Sequence, residues 1–249
     1  MITVRQQPAR QITVKGGPPP APAWNPGDEG DSLSLWYRTD TVVLDDDTPQ
    51  HVTSWTDKSG NGNDLVTCGD PLPVYASSDP DFGGQPSLGT INGVDEVRAL
   101  AIGTVDPFVP AASTWFHVFR IGAEPGDYVF LRLGGGSSAN CADLYTPNGT
   151  QLSGGDGGGF VTADIETEVT YVVASVYDGA GNVSLYVNDP SAPAVTGVCG
   201  AQETQILFTG TYFGQASRYR EAEIFAVART YDHDDLVRAF NYCNARYGL

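Results

Sequence analysis

The stretch that most constrains the fold runs from Leu33 to Val66. It opens with Leu33-Ser34-Leu35-Trp36-Tyr37, an apolar-polar alternation that reads as a half-buried strand entering a sheet sandwich. It closes with Trp55-Thr56-Asp57-Lys58-Ser59-Gly60-Asn61-Gly62-Asn63-Asp64, an aromatic anchor set directly before a dense turn. Gly60 and Gly62 can take positive φ, and Asp57, Ser59 and Asn61 can bond their own backbone, so the turn chemistry is over-specified.

Further strands are expected over Thr114–Ile121, over Asp127–Leu133 before Gly134-Gly135-Gly136, and over Tyr171–Tyr177 and Val183–Val187. Thirty Gly and seventeen Pro suit many short strands joined by tight turns, and 249 residues suffice for one large all-β unit. Residues 69–90 are a Pro- and Gly-rich connection. The end is different: Leu236, Phe240, Cys243 and Tyr247 form one apolar helical stripe. Asp232 is its N-cap, Asp235 stands three residues on, and Gly248 stops it.

The LW…W-x-D-x-SGNGxD arrangement resembles the amino-terminal part of the laminin-G-like, concanavalin A-like jelly rolls. Tyr171–Gly179 followed by Val183–Asn188 resembles that family's paired central strands. Ala222-Glu223-Ile224-Phe225 through Leu249 resembles its closing strand and short terminal helix. The resemblance covers residues 32 to 249 in order. It implies an all-β, concanavalin A-like jelly-roll sandwich with a short C-terminal helix, behind an extended arm and Pro-rich linker at residues 1–31. The same fold carries binding modules, enzymes and virion parts, so it does not itself assign a function.

Charge narrows the classes. A net charge of −17 argues against a binder of phosphate backbones, so no nucleic acid is expected. No window approaches the ~18 apolar residues of a membrane span, and MITVRQQPARQITV lacks the apolar core of a secretory signal. Cys68, Cys141, Cys199 and Cys243 show no C-x-x-C spacing, and are read as small buried residues in a reducing compartment, with disulfides the alternative.

The first residues stand apart. Ile2-Thr3-Val4-Arg5 recurs as Ile12-Thr13-Val14-Lys15, and Gly16-Gly17-Pro18-Pro19-Pro20-Ala21-Pro22 follows as a stiff spacer. Arg5, Arg10 and Lys15 make the arm basic, and the first acid is Asp28. Ile2, Val4, Arg5, Arg10, Ile12, Val14 and Lys15 are therefore the expected partner-binding residues, either adding a strand to a sheet edge or lying on a negative surface. A disordered tail is the competing reading.

Candidate chemistry is sparse. Asp45-Asp46-Asp47 is a loop carboxylate run; calcium is the one cofactor such loops in the resembled fold admit, against a plain solvated charge run. Asp57-x-Ser59-x-Asn61-Gly62 starts like a calcium loop, but its twelfth position is Cys68, so it reads as a structural turn and no metal ligand is assigned. Gly154–Gly159 lacks the lysine of a phosphate loop. In carbohydrate-binding jelly rolls, loop Asn, Asp and Gly groups beside a stacking aromatic hold the sugar, and Tyr145, Asn148 and Asp156 supply that inventory. Asp164-x-Glu166-x-Glu168 and Glu221-x-Glu223 invite a glycosidase reading, but neither matches the E-x-D-x-x-E or E-x-D-x-E strand pattern of glucanases of the resembled fold. His117, within a strand, reads as packed rather than catalytic.

The expectation is a non-enzymatic virion surface protein of a phage or phage-like particle: a capsid decoration, head-fibre or tail-appendage subunit. It would be a homo-oligomer, anchored to other virion proteins by its arm and displaying a lectin-like domain to host glycans. A secreted or cell-surface carbohydrate-binding module and a glycoside hydrolase are the alternatives.

Overall fold

The structure is a computed structural model, and it describes residues 24–67, 72–89, 99–101, 112–122, 128–133, 142–146, 150–156, 159–199, 207–210 and 219–249. The arm residues Ile2 to Lys15, together with Asn148, Cys68 and Cys141, lie outside them.

The strands are β1 (Leu33–Leu44), β2 (Val52–Asp57), β3 (Leu65–Thr67), β4 (Val74–Ala76), β5 (Ser87–Gly89) and β6 (Ala99–Ala101). They continue with β7 (Ala112–Ile121), β8 (Tyr128–Leu133), β9 (Ala142–Thr146), β10 (Gln151–Asp156) and β11 (Gly159–Asp164). The last are β12 (Thr170–Asp178), β13 (Asn182–Val187), β14 (Val195–Val198), β15 (Leu207–Gly210) and β16 (Tyr219–Val227), before the helix α1 (His233–Tyr247).

All pairings are antiparallel, and the ladder runs β11-β10-β9-β8-β15-β6-β3-β2-β1-β16-β7-β12-β13-β14, with the β4–β5 hairpin joined to β16. β1 is the hinge of this path. Its first half pairs Trp36 with Phe225 of β16, and its second half pairs Val42 with Trp55 of β2. The register slips between Tyr37 and Val42, a bulge that lets one strand serve two layers. At the far end β10 and β11 stack on β13 and β14, so the path folds into a sandwich. The layers approach closely there: a Cβ on Gly154 would lie 2.7 Å from Leu185, and one on Gly197 would lie 2.5 Å from Val161. A methyl at either position would have to displace the Leu185 or Val161 side chain.

The space between the layers is filled by Leu35, Tyr37, Trp55, Trp115, Phe119, Val173, Leu185 and Ile224, all buried. A second core lies on the outer face of β16, β7 and β12, where α1 packs Leu236, Phe240, Cys243 and Tyr247 onto Phe116, Val172 and Phe225. The helix matches its sequence signals: Asp232 caps it with a capping box to Asp235, and Gly248 closes it at φ 71°.

Two expectations change. Leu33–Tyr37 is buried along its whole length rather than half-buried, because Leu35 and Tyr37 enter the inner core while Leu33 and Trp36 enter the outer one. Residues 24–31, grouped by sequence with the arm, pack on the body. Asn25 caps the 3-10 turn Pro26–Ser32 through a capping box with Asp28, Trp24 lies edge-on to Tyr242, and Glu29 pairs with Arg229 at 2.8 Å.

Candidate functional site

The dense turn is closed on itself. Asp57 accepts hydrogen bonds from the Trp36 amide at 2.9 Å, the Ser59 amide at 2.9 Å, the Ser59 hydroxyl at 2.7 Å and the Asn63 amide at 3.2 Å. The Asn61 side chain donates to the carbonyls of Leu33 and Ser34, and Tyr37 donates its hydroxyl to the Asn63 carbonyl. Gly60 and Gly62 hold φ of 88° and 74°. Three of the bonds to Asp57 close the turn and the fourth ties it to β1, which is the structural role expected.

The acidic loop after β1 gathers Asp45, Asp47 and His51, whose ligand atoms all lie within 4.8 Å of one another, while Asp46 stands outside the group. Calcium takes oxygen donors, and an imidazole nitrogen belongs to softer ions. Here His51 Nδ1 lies 2.9 Å from Asp45 Oδ2, and the His51 amide donates to Asp45 at 2.8 Å. Those bonds hold the Asp45 carboxyl below its usual range. Two carboxylates and one imidazole make a mixed donor set, and the Asp45–His51 bonds close the loop.

The carboxylates considered for catalysis are separated. Asp164 ends β11, whereas Glu166 and Glu168 fall in the following turn; Glu168 has φ 61° and pairs with Arg120 at 2.9 Å. Glu221 and Glu223 are fully buried and face opposite layers, because the register of β16 against β7 slips between them. Glu221 sits in the inner core, 3.2 Å from His117 Nδ1. Glu223 turns to the outer core, where it accepts from Trp36 Nε1 at 2.5 Å, Tyr242 at 2.9 Å and Tyr247 at 2.7 Å. Burial raises the Glu223 carboxyl above its ordinary range, and these donors and Arg246 oppose the rise. A period of two would have placed both acids on one face; one bulge residue, Ala222, undoes that.

Of the expected sugar contacts, Tyr145 lies on β9 with its Cα opposite Val129 and Ser153, and Asp156 ends β10 opposite Gly159. Asn148 belongs to the connection between β9 and β10. Three residues of strand, ~10 Å, separate the Ser153 position from Asp156, so Tyr145 and Asp156 mark two points along one hairpin rather than one cluster.

Sequence reasoning did not single out a five-member ion network on β7, β16 and the loop before β5. Arg220 pairs with Asp79 and Asp81, both at 2.5 Å, and Arg120 reaches Asp81 at 3.3 Å and Glu168. Arg120 and Arg220 sit directly opposite in register, and the carboxylates neutralise that pair. The signal, two arginines on strands not yet known to be neighbours, is invisible before the topology is known.

No family model and no curated protein matches the chain. Solved structures do resemble it. A structure of botulinum neurotoxin type C, titled for its dependence on two ganglioside molecules, superposes with TM-score 0.58 at 13% identity, over 87% of this chain and 52% of that one. The binding domain of botulinum neurotoxin DC, in complex with rat synaptotagmin II, gives 0.60 at 13% identity, over 86% and 52%. A Trypanosoma rangeli sialidase in complex with sialic acid gives 0.55 at 15% identity, over 84% and 32%. The chain thus spans about half the length of the neurotoxin structures and a third of the sialidase. The fold is a jelly-roll-like antiparallel β sandwich with one C-terminal helix. No helix among the described residues is long and apolar enough to cross a membrane.

Proposed function

We propose that this chain is a non-enzymatic, glycan-binding display module. The observation that carries the reading is the dispersal of the candidate catalytic acids among the described residues. Most glycoside hydrolases, sialidases apart, use two carboxyl groups facing one cleft, ~5 to 9.5 Å apart. Here Glu221 and Glu223 point into different cores, and Glu168 is bonded to Arg120 outside any strand. Glycan as the ligand class is supported by the likeness to binding domains, one titled for gangliosides; Tyr145, Asn148 and Asp156 are the side chains the sequence offers for it.

The finer reading is a subunit on the surface of a phage or phage-like particle, anchored by the basic arm; the arm's composition supports it. A glycan array probed with the full chain tests the ligand class. Binding that falls at least tenfold in both Tyr145→Ala and Asp156→Ala is expected. Absence of binding to every glycan at micromolar protein, or release of reducing ends from a bound one, overturns the reading. Co-sedimentation with particles, lost when Arg5, Arg10 and Lys15 are changed to Glu, tests the anchor.

A further inference from the structure

We propose that the outer edge of β14 is a docking strand for the amino-terminal arm of a second copy of this chain. β14 ends the ladder, and among the described residues its only strand partner is β13. The amide of Cys199 donates to the Gly181 carbonyl at 2.8 Å, which sets the alternation of the hairpin. Val183 then bonds Gly197, and the backbone groups of Thr196 and Val198 point away from β13.

Open edges are normally guarded by shortness, a charge, a proline or a bulge. β14 is short, and Pro190 and Pro193 precede it, but Val195-Thr196-Gly197-Val198 itself carries no charge and no proline. Val198 is 71% exposed, the most exposed large apolar side chain described. Among the described residues no strand pairs with that edge.

The arm has the matching chemistry. Ile2-Thr3-Val4-Arg5 and Ile12-Thr13-Val14-Lys15 are each four residues long, the length of β14, and each ends on a cation. The arm has three basic residues and no acid before Asp28, whereas the remainder of the chain has ten basic against thirty acidic. Exposed acids stand at both ends of β14. Asp178 holds the Asn182 amide and side chain, opposite Val198, and Asp189 lies in the loop that leads to Val195. Their hydrogen bonds hold both carboxyls below the usual range. A cation ending an arm strand meets one of them in either strand direction. A Pro-rich composition such as Pro18–Pro22 favours extended chain, which suits reaching a neighbour's edge. The contact is head-to-tail.

The test uses the full chain and two variants. Val14→Pro damages the arm, and Thr196→Pro removes a donor from the open edge. Light scattering of the unaltered chain should give a mass above the 26.4 kDa of one copy, rising with concentration and falling as salt increases. Each variant should be monomeric at the same concentration, with unchanged far-UV dichroism. Mixed together, they should form a two-chain species, since one supplies an intact arm and the other an intact edge. Val198→Lys, which places a cation where a basic arm must dock, is the second edge variant if Thr196→Pro lowers the urea midpoint. A monomeric unaltered chain at every concentration overturns the proposal, as does an assembly that neither edge variant weakens. So does an arm effect seen only as concentration-independent stability, which would place the arm on its own chain. None of these outcomes depends on glycan binding.

Discussion

Glu223 should be the most costly single carboxylate to remove from this protein. It accepts three hydrogen bonds, from Trp36, Tyr242 and Tyr247, at full burial, and so ties β1 and α1 to β16. Changing it to Ala leaves three buried donors without a partner, at ~1 to 1.5 kcal/mol each. Relief of a desolvated carboxyl offsets part of that loss. The net expectation is a destabilisation of ~2 to 4 kcal/mol, which with a urea slope of ~2 to 3 kcal/mol/M lowers the midpoint by ~1 M. The pH dependence adds a sharper check. Burial, the largest effect on this group, raises the native Glu223 pKa above its ordinary 4.5, so the folded chain holds the proton more tightly than the unfolded chain. The contribution is therefore fully present below the unfolded value and is lost as pH rises through the native one. Glu223→Gln does not titrate, so the stability of the unaltered chain minus that of Glu223→Gln should be largest near pH 4 and shrink toward neutrality. Urea unfolding of both at several pH values measures it. A midpoint shift under ~0.3 M for Glu223→Ala, or a difference that grows with pH, refutes the assignment.

Three other outcomes are expected. Asp57→Ala strips four hydrogen bonds from the Trp55–Asp64 turn and should cost ~2 to 4 kcal/mol by urea unfolding, whereas Asp46→Ala in the open loop should cost under ~0.5 kcal/mol. Gly89→Ala puts a Cβ 1.9 Å from the Tyr219 carbonyl oxygen, so β5 must move off β16; thermal unfolding should fall by several degrees, ~1 to 3 kcal/mol. Calcium at 1 mM should shift melting by less than ~1 °C, because the Asp45 carboxyl is already held by His51 and the His51 nitrogen is not a calcium donor. A larger shift abolished by Asp47→Ala would establish a calcium site.

Local signals in the chain were legible in proportion to how short-ranged their physics is. The closing bonds of the Asp57 turn and the caps of α1 join residues within ten positions of each other, and each appears where its side chains direct. The apolar stripe of α1 named its buried face for the same reason. What failed to show is set by distant partners. The burial of Leu33 and Trp36 depends on a helix two hundred residues away. The opposed faces of Glu221 and Glu223 depend on a bulge that alternation alone cannot reveal. The separation of Tyr145 from Asp156 follows from the hairpin register, which depends on the connection holding Asn148.

The pairing of β1 with β16 also orders events in time. Leu33–Arg38 finds its partner at Glu223–Val227, nearly the whole chain later, and the Trp36 side chain waits for Glu223. A ribosome releasing this polypeptide from β1 onward must therefore hold β1 unpaired on that edge until β16 has emerged. Both cores draw on β16, so neither closes before then.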